Sequence, residues 1–225
     1  MSYKEEFIEF LVECDAIRFG EFQLKSGRIA PYFINTGMFD TGAKIARLGR
    51  YYAKAVLDHF GSDFHGIYGP AYKGIPLCIA TAGALAEEGC DKGYVFNRKE
   101  AKTYGDASAV VGMPLNAATR LILVDDVITS GKAIRESLEV LKACSNPKVD
   151  GIVISVNRQE KGKTDKNALA EVAELLGVPV FAIVTISDII EHLHNRPVNG
   201  RVVLNDDTKK KIIDYLGQYG STENS

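Results

Sequence analysis

An open α/β sheet, mostly parallel and flanked by helices, with a small N-terminal hood or flap, is the fold class predicted for these 225 residues. Three observations predict it. Short apolar runs at residues 66–68, 94–96, 121–124, 151–156 and 180–184 are continuous rather than alternating, as in strands buried on both faces. Helical patterns at 73–88, 131–144 and 164–176 fall between these runs, and alternation of the two periods is the signature of a parallel sheet wound with helices. Composition agrees, since 46% hydrophobic and 25% charged residues are ordinary globular values.

The elements follow in order. Lys4, Glu5 and Glu6 stand among Phe7, Phe10, Leu11 and Cys14, a helical period with acid in its first turn rather than a signal peptide. Residues 21–24 and 30–34 read as two short strands around the turn formers Lys25, Ser26, Gly27 and Arg28, an antiparallel flap. A helix over 42–60 follows, with Ile45, Leu48, Tyr52, Val56 and Leu57 on one face, and then the alternating strands and helices. A last amphipathic helix is expected over 207–216, and the polar tail 217–225 is expected to fray. No repeat or long linker divides the chain, so residues 1–225 are expected to form a single domain to which 1–40 contributes a helix and the hood.

Charge and cysteine usage exclude several function classes. A net charge of −2 gives no general footing for nucleic acid or an anionic membrane, so any basic site must be local. The longest uncharged apolar stretch, 74–86, is too short to span a bilayer and contains Pro76. Cys14, Cys78, Cys90 and Cys144 are dispersed with no Cys-x-x-Cys pair, which points to reduced thiols and a cytoplasmic setting. His192 and His194 mimic metal-ligand spacing only superficially, and surface or helix-end roles are expected for them.

The chemistry concentrates in Leu121-Ile122-Leu123-Val124-Asp125-Asp126-Val127-Ile128-Thr129-Ser130-Gly131-Lys132-Ala133. A buried strand ends in two carboxylates, passes a loop of hydroxyls and glycine, and opens a helix. Ligands of open α/β sheets bind outside the carboxyl ends of strands, where this loop lies. Free amides at a helix start, its positive dipole end, two hydroxyls and an unhindered glycine suit a phosphate dianion. The carboxylates beside that cradle would repel the anion unless they hold a cation or accept hydrogen bonds from sugar hydroxyls. Together they call for a ribose phosphate. A helix cap with a solvated Asp125 is the plainer alternative. Neither a P-loop nor a Gly-x-Gly-x-x-Gly fingerprint occurs.

This loop resembles the phosphoribosyl-diphosphate (PRPP) motif of the type I phosphoribosyltransferases, and four more segments narrow the resemblance to orotate phosphoribosyltransferases. Phe22-Gln23-Leu24-Lys25-Ser26-Gly27-Arg28 with Pro31-Tyr32-Phe33-Ile34-Asn35 is similar to their hood, and Gly69-Pro70-Ala71-Tyr72-Lys73-Gly74 to their diphosphate loop. Phe96-Asn97-Arg98-Lys99-Glu100-Ala101-Lys102 is similar to their catalytic lid, and Asn157-Arg158-Gln159-Glu160 to their orotate-arginine segment. The five motifs occur in family order over residues 20–160.

The resemblance implies transfer of ribose 5-phosphate from PRPP to orotate with Mg²⁺, giving orotidine 5′-monophosphate and pyrophosphate in pyrimidine biosynthesis. It implies PRPP contacts from Lys25, Tyr72, Lys73, Arg98, Lys99 and Lys102 and from Asp125, Asp126, Val127, Ile128, Thr129, Ser130, Gly131, Lys132 and Ala133. Catalytic roles fall to Lys102, Asp125 and Asp126, with Lys102 acting mainly in the transition state. Orotate contacts fall to Lys25, Phe33, Ile34, Thr129 and Arg158, the first two strand residues after Tyr32 acting through the hood backbone. Mg²⁺ is expected mainly on PRPP and water, with Asp125 or Asp126 the only direct candidates. A homodimer with lids shared between subunits is implied as well.

Residue chemistry supports these implications independently. The departing pyrophosphate gathers negative charge as ribose C1 becomes oxocarbenium-like, so cations placed there accelerate the step. Arg98, Lys99 and Lys102 supply three. Arg158 follows a buried strand, where its planar fork suits a carboxylated pyrimidine, although a salt bridge to Glu160 is the plainer role. One departure stands out: the bacterial lid pattern continues Lys-Asp-His-Gly, and this chain has Lys102-Thr103-Tyr104-Gly105, a phenol in place of an imidazole. Two alternatives are a purine salvage transferase, against which the hood and Arg158 argue, and a PRPP-sensing regulator, for which no output element is present. A phosphoacceptor domain would leave the basic motif residues unexplained.

Overall fold

The computed structural model describes residues 1–24, 27–99, 109–128, 131–162 and 164–221. Helix α1 (Tyr3–Glu13) is opened by a reciprocal cap in which the Ser2 hydroxyl accepts from the Glu5 amide and the Glu5 carboxylate accepts from the Ser2 amide. An antiparallel ribbon follows, β1 (Ile17–Gln23) with β2 (Ile29–Ile34), then a 3₁₀ turn (Thr36–Met38) and helix α2 (Gly42–Phe60). The alternating region comprises β3 (Gly66–Gly69), α3 (Gly74–Glu87), β4 (Gly93–Asn97), β5 (Val110–Gly112), β6 (Arg120–Val124) and α4 (Lys132–Cys144). It continues through β7 (Lys148–Asn157), α5 (Ala168–Leu176), β8 (Val180–Thr185) and α6 (Ile186–Leu193). The short pair β9 (Pro197–Val198) and β10 (Arg201–Val202) then leads into α7 (Asp206–Tyr219).

The main sheet has the order β5-β4-β3-β6-β7-β8, with β5 antiparallel at one edge and the other neighbours parallel. Strand period 2 sorts its side chains into two cores. Ile122, Val124 and Val153 face α1, α2, α3 and α6, whereas Leu121, Leu123, Ile152 and Ile154 pack with Ile134 and Leu141 of α4 and Leu169 and Val172 of α5. Each such side chain, fully withdrawn from water, contributes about 1.5–3 kcal/mol. Double coverage explains why these strands are continuous apolar runs.

Chain order reverses between β3 and β6: β4 lies to one side of β3, while β6, β7 and β8 follow on the other. Connections leave the two central strands in opposite directions at this point, opening a crevice at their carboxyl ends. The diphosphate-like loop leaves β3 there and the acidic loop leaves β6.

Several sequence expectations change. The first hood strand begins at Ile17 rather than at 21, because Ile17, Arg18 and Phe19 pair with Ile34, Phe33 and Tyr32. Helix α5 begins at Ala168, capped by the Asn167 side chain on the Leu169 amide, rather than at 164. Helix α6 and edge strand β5 fall outside the elements the sequence predicted, although α6 carries Ile186, Ile189, Ile190 and Leu193 at helical spacing behind a Thr185–Asp188 capping box. The last helix runs to Tyr219, so 217–219 do not fray: Tyr219 O accepts from Lys161 N, and the Ser221 amide donates to Gln159 O. His192 and His194 sit at the end of α6 as expected, His192 buried with its Nε2 3.1 Å from Glu9 Oε1 and His194 Nε2 2.7 Å from Asp206 Oδ1. No group of three or more metal-ligating side chains occurs among the described residues. No helix of the described residues is long and apolar enough to cross a membrane.

Candidate active site

The crevice at the β3/β6 switch is built from two tight strand-to-helix turns. After β3, Gly69 and Gly74 approach so closely that a Cβ on Gly69 would lie 2.0 Å from Gly74 O. Only glycine permits this contact, and it brings Ala71, Tyr72 and Lys73 to the sheet's end. The Ala71–Tyr72 peptide is cis, and the Ala71 amide donates to Asn97 Oδ1 at 2.9 Å. Tyr72 is 66% exposed, with the Lys99 ammonium 4.9 Å from its ring centre.

After β6, the Asp125 backbone is fixed on both sides: its amide donates to Val153 O and its carbonyl accepts from the buried Tyr52 hydroxyl at 2.8 Å. Asp126 O accepts from both the amide and the hydroxyl of Ser155. These bonds hold two consecutive carboxylates at the strand end, 8% and 7% exposed. Burial, reinforced by the adjacent Asp126 charge, pushes the Asp125 carboxyl up to about 7. Asp126 is compensated instead: its Oδ2 accepts from Lys73 Nζ and from Thr36 Oγ1, both at 2.8 Å. A solvated Asp125 with a helix-capping Asp126 is therefore not what is seen.

Helix α4 is preceded by Gly131 as its N-cap, with a left-handed φ of 64°. Among the described residues its first amides thus have no side-chain cap of the kind that closes most helix starts. A cavity of about 360 Å³ lies over them, lined by Lys99, Asp125, Val127, Ile128, Gly131, Lys132 and Ala133. Seven of the residues expected on PRPP therefore share one concavity, a helix N-terminus flanked by Lys99 and Lys132 on one hand and by Asp125 and Glu136 on the other. Such a site can take a phosphate at the amides and hydroxyl donors at the carboxylates. The Asp125–Asp126 pair also fits Mg²⁺, which is commonly held by one or two carboxylates and otherwise by substrate phosphates and water. A second cavity of about 390 Å³ adjoins it, with Lys73 and Asp126 between Thr36 and Leu77.

Other expected residues are placed differently. Arg98 borders a separate cavity with residues 109–115 and the end of α4. Arg158 leaves the carboxyl end of β7 and forks onto Glu160, its Nε and Nη2 3.0 and 2.6 Å from Oε1. Phe33 stacks on Phe22 on the ribbon face opposite Tyr32, with Ile34 partly buried at the hood's end. Lys25, Lys102, Tyr104, Thr129 and Ser130 lie outside the described residues. Sequence reasoning gave no site role to Thr36, Tyr52 or Ser155 and set Asn97 only within the lid-like segment, yet all four hold the loops in place. Thr36 lies in the turn-forming Asn35-Thr36-Gly37 at the end of the hood.

Comparisons with known proteins agree with this geometry. Residues 35–195 match the family model described as phosphoribosyl transferase domain. An orotate phosphoribosyltransferase of Clostridium botulinum (strain Alaska E43 / Type E3) is 46% identical, the alignment covering 98% of this chain and 99% of that one. One of Yersinia pestis (strain Pestoides F) is likewise 46% identical, over 98% and 99%. The crystal structure of orotate phosphoribosyltransferase from Francisella tularensis superposes with a TM-score of 0.82 at 38% identity, covering 96% of this chain and 100% of that one. Strand order, the paired carboxylates at the switch point and near full-length similarity lead to one conclusion: the chain belongs to the orotate phosphoribosyltransferase family.

Proposed function

We propose that the β3/β6 crevice is where this chain performs its family's reaction, transfer of ribose 5-phosphate from PRPP to orotate to give orotidine 5′-monophosphate and pyrophosphate. The observation that carries the site is the meeting of Asp125, Asp126, Lys73 and the α4 N-terminus at the switch point. The 5-phosphate sits on the amides around Gly131, with Thr129 and Ser130 adding hydroxyl donors. Asp125 and Asp126 accept hydrogen bonds from the ribose hydroxyls. As the C1–O bond breaks, electrons pass to the diphosphate oxygen, and Lys73, Lys99, Arg98 and Lys102 offset the growing charge. A nitrogen of the orotate ring then bonds to C1 and gives up its proton, which leaves with the pyrophosphate or to water. Asp125 or Asp126, together with the substrate diphosphate and water, would hold Mg²⁺, which would supply further charge neutralisation there. Arg158 grips the orotate carboxylate beneath the hood, where Lys25, Phe33 and Ile34 close the base pocket.

The whole chain acts as one catalytic domain, residues 1–40 supplying the cover, and it works as a homodimer in the cytoplasm. Support for the dimer comes from an apolar stripe on α3 and the turn before it. Tyr72 is 66% and Ile79 45% exposed, and Pro76, Gly83 and Ala86 continue the same helical face. A Cβ on Gly83 would meet open space, so a second helix can approach closely. Purified protein should release pyrophosphate from PRPP with Mg²⁺ and orotate but not with adenine or hypoxanthine. Preference for a purine would overturn the substrate assignment.

A further inference from the structure

Glu160 stands at the centre of a bonding pattern that a simple surface ion pair does not require. One oxygen, Oε1, accepts three hydrogen bonds: from Tyr32 Oη at 3.0 Å, from Arg158 Nε at 3.0 Å and from Arg158 Nη2 at 2.6 Å. The Arg158 and Glu160 side chains are only 22% and 15% exposed, and Tyr32 is fully buried. The guanidinium also lies over the Tyr32 ring, 5.0 Å from its centre. Burial and the neighbouring carboxylate push the Tyr32 phenol up, so it stays a neutral donor at any working pH.

The loop carrying this pair is fixed from three sides. Gln159 has a left-handed backbone, and its side-chain Oε1 accepts from the Ser187 amide and hydroxyl at the start of α6. Its carbonyl accepts from the Ser221 amide after α7. Tyr215 of α7 meets the Tyr32 ring edge-on, and its buried hydroxyl lies beside Glu160.

A guanidinium has a side edge, Nε with Nη2, and an end edge, Nη1 with Nη2. Glu160 occupies the side edge, and among the described residues nothing is bonded to Nη1. We infer that Glu160, steadied by Tyr32, is a positioning residue for base specificity: it fixes Arg158 so that only the end edge is offered to the carboxylate of the pyrimidine substrate. This rests on the assignment of Arg158 to orotate made above. Preorganised in this way, the arginine loses no rotamer freedom on binding, and substrate without the carboxylate gains nothing from it.

The test is steady-state kinetics of Glu160→Ala, Glu160→Gln, Tyr32→Phe and Arg158→Ala with orotate and with uracil, the same ring lacking the carboxylate. Glu160→Ala should raise the orotate KM about 10–100-fold, as expected on losing charge-assisted bonds. The PRPP KM and kcat should move less than about 3-fold, and the orotate-to-uracil ratio of kcat/KM should fall with Arg158 still present. Glu160→Gln, which keeps an acceptor, and Tyr32→Phe, which removes one donor, should give smaller losses in the same direction. These two also carry the test if the alanine variant does not fold. Unchanged orotate KM in every Glu160 variant, or equal loss for both substrates, would overturn the inference while leaving Arg158→Ala to report separately. If Arg158→Ala itself leaves orotate discrimination intact, the assignment of the arginine falls first.

Discussion

Lys73 and Asp126 meet across the crevice between β3 and β6, Nζ to Oδ2 at 2.8 Å, although they arrive on loops from different strands. The lysine side chain is 65% exposed and that of Asp126 10%, and Thr36 also donates to the same carboxylate oxygen, so the lysine end of the pair stays in water and the carboxylate keeps a partner without it. Its ammonium can therefore be drawn from the carboxylate to an incoming diphosphate at little cost to the fold. Lys73→Ala should raise the PRPP KM about 10–100-fold, the loss of a charge-assisted contact. The thermal midpoint should move by no more than about 2–4 °C. Initial-rate kinetics beside a thermal melt checks both, and a large loss of stability with unaltered KM would make Lys73 a structural residue.

Asp125 should make stability depend on pH. Its carboxyl sits near 7 in the folded chain because it is buried and beside Asp126, against an ordinary value of 3.8. Below about pH 4 both folded and unfolded chains hold the proton and the group is neutral in its effect. As pH rises toward 7 the unfolded chain loses the proton first, so stability falls, and above 7 the penalty is constant. Asp125→Asn removes the penalty and should stabilise the protein by about 2 kcal/mol more at pH 8 than at pH 5. Denaturant titrations at the two values measure it; an equal effect at both would mean the carboxyl is not perturbed. Ligands that need the ionised pair should release a proton on binding near neutral pH.

The strand ends were legible because burial on both faces leaves a continuous apolar run, and Leu121 to Val124 stops abruptly at two aspartates. Knowing that ligands sit at such ends was enough to place the cradle. The connections within the site were not legible. Thr36 reaches Asp126 from 90 positions away and Tyr32 reaches Glu160 from 128, contacts created by the hood folding over the sheet. Local patterns hold no record of such pairings. Helix α6 is different: it follows β8 directly, and its Thr185–Asp188 capping box was the local signal that marked the change of period.

Gly131 should be intolerant of even a methyl group. Its φ of 64° disfavours any L side chain, and an added Cβ would lie 2.9 Å from Val172 Cγ2 of α5. Gly131→Ala should cost about 1 kcal/mol or more in stability and displace the amides at the start of α4. PRPP affinity should drop with it, whereas free orotate binding, which does not use those amides, should be preserved. Calorimetry with each substrate separates the two, and equal weakening would point to general unfolding of the loop.

Lys102 permits a test of role and of assembly together. A cation that meets the leaving group chiefly in the transition state lowers kcat when removed, by about 10²–10³, with little effect on PRPP binding. Lys102→Ala should behave so. If the lid crosses between subunits, mixing Lys102→Ala protein with the Asp125→Asn, Asp126→Asn double variant creates dimers in which one site collects both defects and the other is intact. Random reassortment makes half the dimers mixed, so activity should return to about a quarter of the wild-type value. A lid acting within its own subunit gives no recovery, because every site then retains one defect, and that outcome would reject the shared-site dimer while leaving the role of Lys102 standing.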